Sequence, residues 1–230
     1  MNRQRNLLLV GMVALLLLLS GWVIYGQIQT AQTTFMSGNP TPDIQNALQP
    51  KTVPLSELRP PAIRPDDEVR YGSATSVASV IEFGDYECES CRALDPVIQS
   101  VLPKYKGAVR FVWRDLPVKD VNPNAFEAAV FARCAALQGK FWEAHDALLA
   151  APSLDESTYA DIATKLKLNP ANLASCRSDA TLRTALQADV DQARNDGINA
   201  APLLFIGTGA HQGTMTADEL SQQIKTFLAS

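Results

Sequence analysis

The sequence predicts a mixed α/β domain whose sheet is interrupted by a block of helices, preceded by one N-terminal transmembrane helix. Three observations carry this. An apolar run, Val77–Phe83, ends in a C-x-x-C pair, and an amphipathic helix pattern follows it. A long stretch of purely helical periodicity then intervenes. Strand signals return only at Leu203-Leu204-Phe205-Ile206.

Taken from the N-terminus, Leu7 to Tyr25 is an uncharged apolar run preceded by Arg3 and Arg5. At 1.5 Å per residue it would span ~28 Å, close to the thickness of a bilayer's hydrocarbon core. Trp22 and Tyr25 fall where an aromatic belt would lie, and the arginines place the N-terminus in the cytoplasm. A cleaved signal peptide is the competing reading, but its apolar region is usually shorter and Ala31 makes a poor cleavage site. Either way the remainder is delivered outside the inner membrane. Residues 26–65 are rich in Gln, Thr, Ser and Pro, with seven of the fourteen prolines between Pro40 and Pro65. Such a stretch buries too little apolar surface to offset its ordering entropy, and reads as a tether with a reach of ~35 Å. The folded domain is expected over 66–230.

Within it, Val77–Phe83 reads as a buried strand, Ser90–Leu102 as a helix and Val109–Arg114 as a second strand. The insertion is expected at about 122–197. Phe126, Ala129, Val130, Cys134 and Leu137 share one helical face, Phe141, Trp142, His145, Leu148 and Leu149 the next, and Tyr159, Ile162, Ala163 and Leu166 a third. Asn169-Pro170 caps a short helix bearing Leu173 and Cys176, and a longer helix from Thr181 stops at Gly197. After the strand at Leu203–Ile206, Gly207–Gly209 is a turn, Ala210–Thr214 a short edge strand, and Ala217–Leu228 a closing amphipathic helix.

The chemistry centres on Cys88 and Cys91. The pattern places Cys88 at a helix N-terminus, where unpaired N–H groups and the helix dipole favour a thiolate. A thiolate with a second cysteine one turn away suffices for thiol–disulfide exchange. Half of a zinc site is the alternative, but it needs two further ligands. Cys134, Cys176, His145 and His211 are the only other Cys or His residues, and they form no second close pair. The four cysteines make an even count, which suits an oxidising compartment, and the net charge of −4 offers nothing to nucleic acid. His145 reads as a packed core histidine and His211 has no assigned role. Asp66, Asp67 and Glu68 read as a solvated run at the domain entrance, with a calcium site as the alternative.

The segments V-I-E-F-G-D-Y-E-C-E-S-C, A-R-C-A-A-L-Q-G-K-F-W-E-A-H-D-A-L-L and G-I-N-A-A-P-L-L-F-I-G resemble the DsbA-like branch of the thioredoxin superfamily, from about Gly72 to the C-terminus. That resemblance implies a thioredoxin-like fold with an inserted helical domain, and a protein disulfide oxidoreductase that forms disulfides in secreted proteins, with Cys88 as nucleophile and Cys91 as resolving thiol. A reductase or isomerase of the same fold, or a binding or chaperone module whose pair is structural, are the alternatives. Glu82, six residues before Cys88, would shuttle the resolving thiol's proton; an exposed strand-end glutamate is the alternative. Pro202 would be cis and pack against the pair, beside a strand edge that binds substrate backbone. Ala201 departs from the Thr or Val common before this proline and leaves substrate preference open. Cys134 and Cys176 would form a structural disulfide like that of some members, or remain two separate buried thiols. The dipeptide Glu89-Ser90 replaces the Pro-His of strong oxidants. With Glu87, Glu89 is expected to raise the Cys88 pKa and give a milder oxidant. No cofactor is implied. The implied partners are secreted or membrane proteins with cysteines, and a quinone-linked membrane protein of the DsbB or vitamin K epoxide reductase type.

Overall fold

The computed structural model describes residues 53–230. Five strands form one sheet in the order β1-β3-β2-β4-β5: β1 (Val69–Arg70), β2 (Ala78–Gly84), β3 (Val109–Asp115), β4 (Leu203–Ile206) and β5 (Gly209–Gln212). The β2–β3 pair is parallel, joined through helix α1 (Glu89–Val101), and the other pairs are antiparallel. Between β3 and β4 lie five helices: α2 (Ala125–Ala136), α3 (Phe141–Ala150), α4 (Glu156–Lys165), α5 (Pro170–Arg177) and α6 (Ala180–Asn195). Helix α7 (Ala217–Leu228) closes the chain, held at its start by a Thr216–Glu219 capping box. This is the thioredoxin-like sheet with a helical insertion.

Alternation along β2 divides the core between two layers. Ile81 and Phe83 join Val112, Leu203 and Phe205 against the insertion helices. Val80 joins Val109, Phe111, Leu204 and Ile206 against α1 and α7. Gly84 ends β2 directly beneath the Trp113 ring, and a Cβ there would occupy the space of that ring. The sharp exit from β2 into the cysteine turn therefore accepts only glycine.

Two expectations need correction. Residues 53–65, expected to belong to the tether, pack on the domain: Leu58 is 4% exposed and Val53 lies over Gly197. A few apolar contacts are enough to dock a proline-rich segment, whatever its average composition. The Asp66–Glu68 run is not uniformly solvated either. The Asp67 side chain is 2% exposed, pairs with Arg114 at 2.7 Å and Arg64 at 3.4 Å, and accepts from Arg64 N at 2.6 Å. Its carboxylate is already neutralised by arginines, which leaves no place for calcium. The two-residue strand β1 had no sequence signal. Among the described residues no helix is long and apolar enough to cross a membrane. The anchor expected over 1–25, and the tether as far as residue 52, lie outside the described residues.

Candidate active site

The cysteine turn forms where β2 gives way to α1. Asp85 anchors it, and its buried carboxylate accepts from Glu87 N at 2.8 Å, Val118 N at 2.9 Å and Asn122 Nδ2 at 2.9 Å. Cys88 is the N-cap of α1 and is half-buried; its sulfur accepts from Cys91 N at 3.3 Å. Cys91, one turn in, is buried. The cap position thus supplies the unpaired N–H groups that the sequence placed there.

These contacts set the two thiols apart. The hydrogen bond from the Cys91 thiol is the largest cause holding Cys88 down at about 7, helped by the Cys91 and Ser90 N–H groups and opposed by burial and Asp85. Burial pushes Cys91 up, and the Cys88 sulfur and the Glu82 charge add to it. One thiol is poised to ionise near neutrality while the other keeps its proton. The expectation that Glu87 and Glu89 would raise the Cys88 pKa does not hold. Glu87 turns away, its carboxylate accepting from Asn124 N and Asn124 Nδ2, both at 2.8 Å, and the carboxylate that opposes ionisation is Asp85.

Glu82 is 2% exposed, and its Oε1 has no hydrogen-bond partner. Burial first, then the charges of Asp95 and Cys88, lift its pKa well above the ordinary carboxylate value. It shares a sheet face with Val80, the face on which α1 packs. The peptide Ala201–Pro202 is cis, and the Cys88 thiol donates to the Ala201 carbonyl at 3.6 Å. The structure therefore brings Cys88, Cys91 and the Ala201–Pro202 loop together, with Glu82 buried beneath them.

The other candidates lie elsewhere. Cys134 and Cys176 are joined by a disulfide between α2 and α5. His145 is 1% exposed, packed among Tyr86, Trp113, Phe141 and Trp142 and held down at about 3 by burial and then by Arg70. His211 caps the Thr214 carbonyl at 3.1 Å. Asp95, His145 and Asp146 lie close enough to share a metal ion, but Arg70 already engages both Asp146 oxygens, at 2.6 and 2.8 Å. Sequence reasoning did not single out Asp85, Asn122, Asn124 or Gln212. Their roles depend on partners more than thirty residues away or on a backbone turn, which no local pattern announces.

A family model described as thioredoxin matches residues 65–226. The chain belongs to this family. Among solved structures, a thioredoxin-like oxidoreductase from Silicibacter pomeroyi superposes with a TM-score of 0.65 at 23% identity, covering 73% of this chain and 95% of its own. Wolbachia pipientis alpha-DsbA1 gives 0.64 at 18%, covering 73% and 93%. A periplasmic thioredoxin-like protein from Salmonella enterica gives 0.63 at 23%, covering 73% and 92%. The fold is thus that of the DsbA-like members. A sodium/proton antiporter, NhaA 3 of Salinispora tropica, is 34% identical over 171 residues, 73% of this chain. The chain spans only 26% of that relative's length, so the antiporter name describes a much longer protein.

Proposed function

We propose that this protein is an anchored, extracytoplasmic thiol–disulfide oxidoreductase that exchanges its Cys88–Cys91 disulfide with cysteines of secreted or membrane proteins. The observation that carries the proposal is the unequal pair. Cys88 caps α1 and is held at about 7, and Cys91 is buried and pushed up one turn away. The family match and the DsbA-like fold support it. The Cys134–Cys176 disulfide supports an oxidising compartment.

In the oxidising direction a client thiolate attacks Cys88 Sγ of the disulfide. The S–S bond breaks and Cys91 leaves, taking a proton that Glu82 is placed to supply. A second client thiolate then attacks the client sulfur of the mixed disulfide, and Cys88 leaves as the thiolate that the helix end stabilises. Two electrons pass from client to enzyme, and a quinone-linked membrane partner of the DsbB or vitamin K epoxide reductase type would remove them. In the reducing direction the same steps reverse, with Glu82 taking the Cys91 proton before Cys91 attacks. The Ala201–Pro202 loop is the edge on which the client backbone docks.

A Cys88 held at about 7 favours a mild oxidant or an isomerase over a strong oxidant. Nucleophilic cysteines of this superfamily range from about 3.5 in the strongest oxidant to about 7 in thioredoxin, and a less stable thiolate makes a less oxidising disulfide. Equilibration of the protein with glutathione buffers tests this. A potential near the glutathione pool or above it supports an oxidant or isomerase, and one far below it makes the protein a reductase. Ser replacements at Cys88 and Cys91 that leave oxidative folding untouched would overturn the reading altogether.

A further inference from the structure

Three consecutive carbonyls line the loop that meets the redox pair, and one side chain sorts them. Gln212 is the last residue of β5, opposite Leu203 in the register. Its Nε2 donates to the Ala200 carbonyl at 3.3 Å and to the Pro202 carbonyl at 2.7 Å. Pro202 O also accepts from Gly213 N at 2.9 Å. The carbonyl between them, that of Ala201, is the one that takes the Cys88 thiol. A primary amide carries two N–H bonds on one nitrogen, so a single glutamine can hold both flanking carbonyls. A carboxylate of the same size has no proton to offer, and an aliphatic side chain has no polar atom.

We infer that Gln212 is a positioning residue for polypeptide substrates, holding the carbonyls on each side of Ala201 towards β5 so that the Ala201 peptide stays turned to Cys88 and open to an extended client chain. The inference rests on the exchange reading above and names how that site selects its substrate. The Ala201 carbonyl lies between the two that Gln212 holds, so fixing its neighbours limits how far its peptide can turn away from Cys88. With Gln212 replaced, the Ala200 carbonyl loses its tether and the Pro202 carbonyl keeps only Gly213 N, so an arriving client would have to order the loop as it binds, at a cost in affinity. A small aromatic disulfide reaches the Cys88 sulfur without pairing to the loop and avoids that cost. The strand carrying Gln212 is held independently, by its ladder to β4 and by the 3₁₀ turn Leu55–Glu57 packed beside it.

The test compares two substrates in the full chain: a two-cysteine peptide and a small aromatic disulfide. Gln212→Glu and Gln212→Leu should lower kcat/KM for the peptide about five- to tenfold, mostly through KM, as expected for lost hydrogen bonds of ordinary strength. The ratio of peptide to small-disulfide reactivity should fall with it. Gln212→Lys, whose ammonium carries donors enough for both carbonyls, should hold that ratio near the wild-type value. An unchanged ratio in the Glu and Leu variants, or equal losses on both substrates, would overturn the positioning role. Inactivity of the wild-type chain towards both substrates would instead overturn the exchange reading.

Discussion

Cys88 and Glu82 hold most of the chemical leverage, and each has a pH signature. The alkylation rate of reduced Cys88 should titrate with a midpoint of about 7. Cys91→Ala removes the largest cause of that depression and should move the midpoint up towards the ordinary cysteine range. An unmoved midpoint would transfer the effect to the helix end alone. The depressed pKa also favours the folded reduced state. That contribution is complete above the unfolded thiol's pKa and is lost as pH falls through about 7. Glu82 behaves in the opposite sense. The unfolded chain releases its proton near 4.5 while the folded protein retains it, so folding stability declines as pH rises above that value. Glu82→Gln should therefore be more stable than wild type at neutral pH, with a flatter pH dependence in urea titrations. The same variant should slow release of the mixed disulfide by about a hundredfold, the usual scale for a lost acid–base group. Single-turnover kinetics with a trapped client separates that step from the first attack.

At the scale of elements, the segment ahead of β1 is fastened to both halves of the domain by charge. Arg64 pairs with Asp67 and with Asp189 of α6, Arg114 of β3 pairs with Asp67, and Arg133 of α2 joins Asp115 to Asp189. Asp67→Ala would leave Arg114, itself only 12% exposed, without its carboxylate. Breaking such a pair from one side costs about 3 kcal/mol, measurable as a lower urea midpoint at unchanged slope. A cost below about 0.5 kcal/mol, the scale of an exposed ion pair, would show the network to be ornamental. The same network explains where the sequence was legible. Strand β2, helix α1 and the insertion helices carry a hydrophobic period, so residues 78–101 and 125–195 could be read locally. The cysteine pair follows from spacing within those elements, whereas Glu82 and the proline before β4 were singled out by the family resemblance. Asp67 reads as solvated because its partner lies 47 residues on, and Glu87 reads as a neighbour of Cys88 because its partner Asn124 lies 37 residues on. Long-range polar pairs have no period, and a two-residue strand is too short to have one.

For the whole molecule, the insertion is tied to the sheet by packing and to itself by one covalent bond. Cys134 lies in the buried face of α2 and Cys176 in the short helix α5, 42 residues apart in the chain. Helix α5 offers Leu173 as its buried residue, so packing alone grips it weakly and the disulfide does much of the holding. Closing a loop of that length removes about 4 kcal/mol of unfolded-chain entropy on the chain-entropy model. For a domain of this size that is worth on the order of 10 °C in melting temperature. The double variant Cys134→Ala, Cys176→Ala should show that loss by calorimetry, while its Cys88 alkylation midpoint stays near 7 because the groups that set it, Cys91, Ser90 and Asp85, belong to α1 and the turn before it. Mass analysis after alkylation without reductant should find the wild-type pair unmodified even when Cys88 and Cys91 have reacted. If the double variant melted with the wild type, the insertion would owe its integrity to the buried faces of α2, α3 and α6. If the Cys88 midpoint moved with the melting temperature, the insertion would be setting the chemistry of the pair as well as shaping the surface beside it.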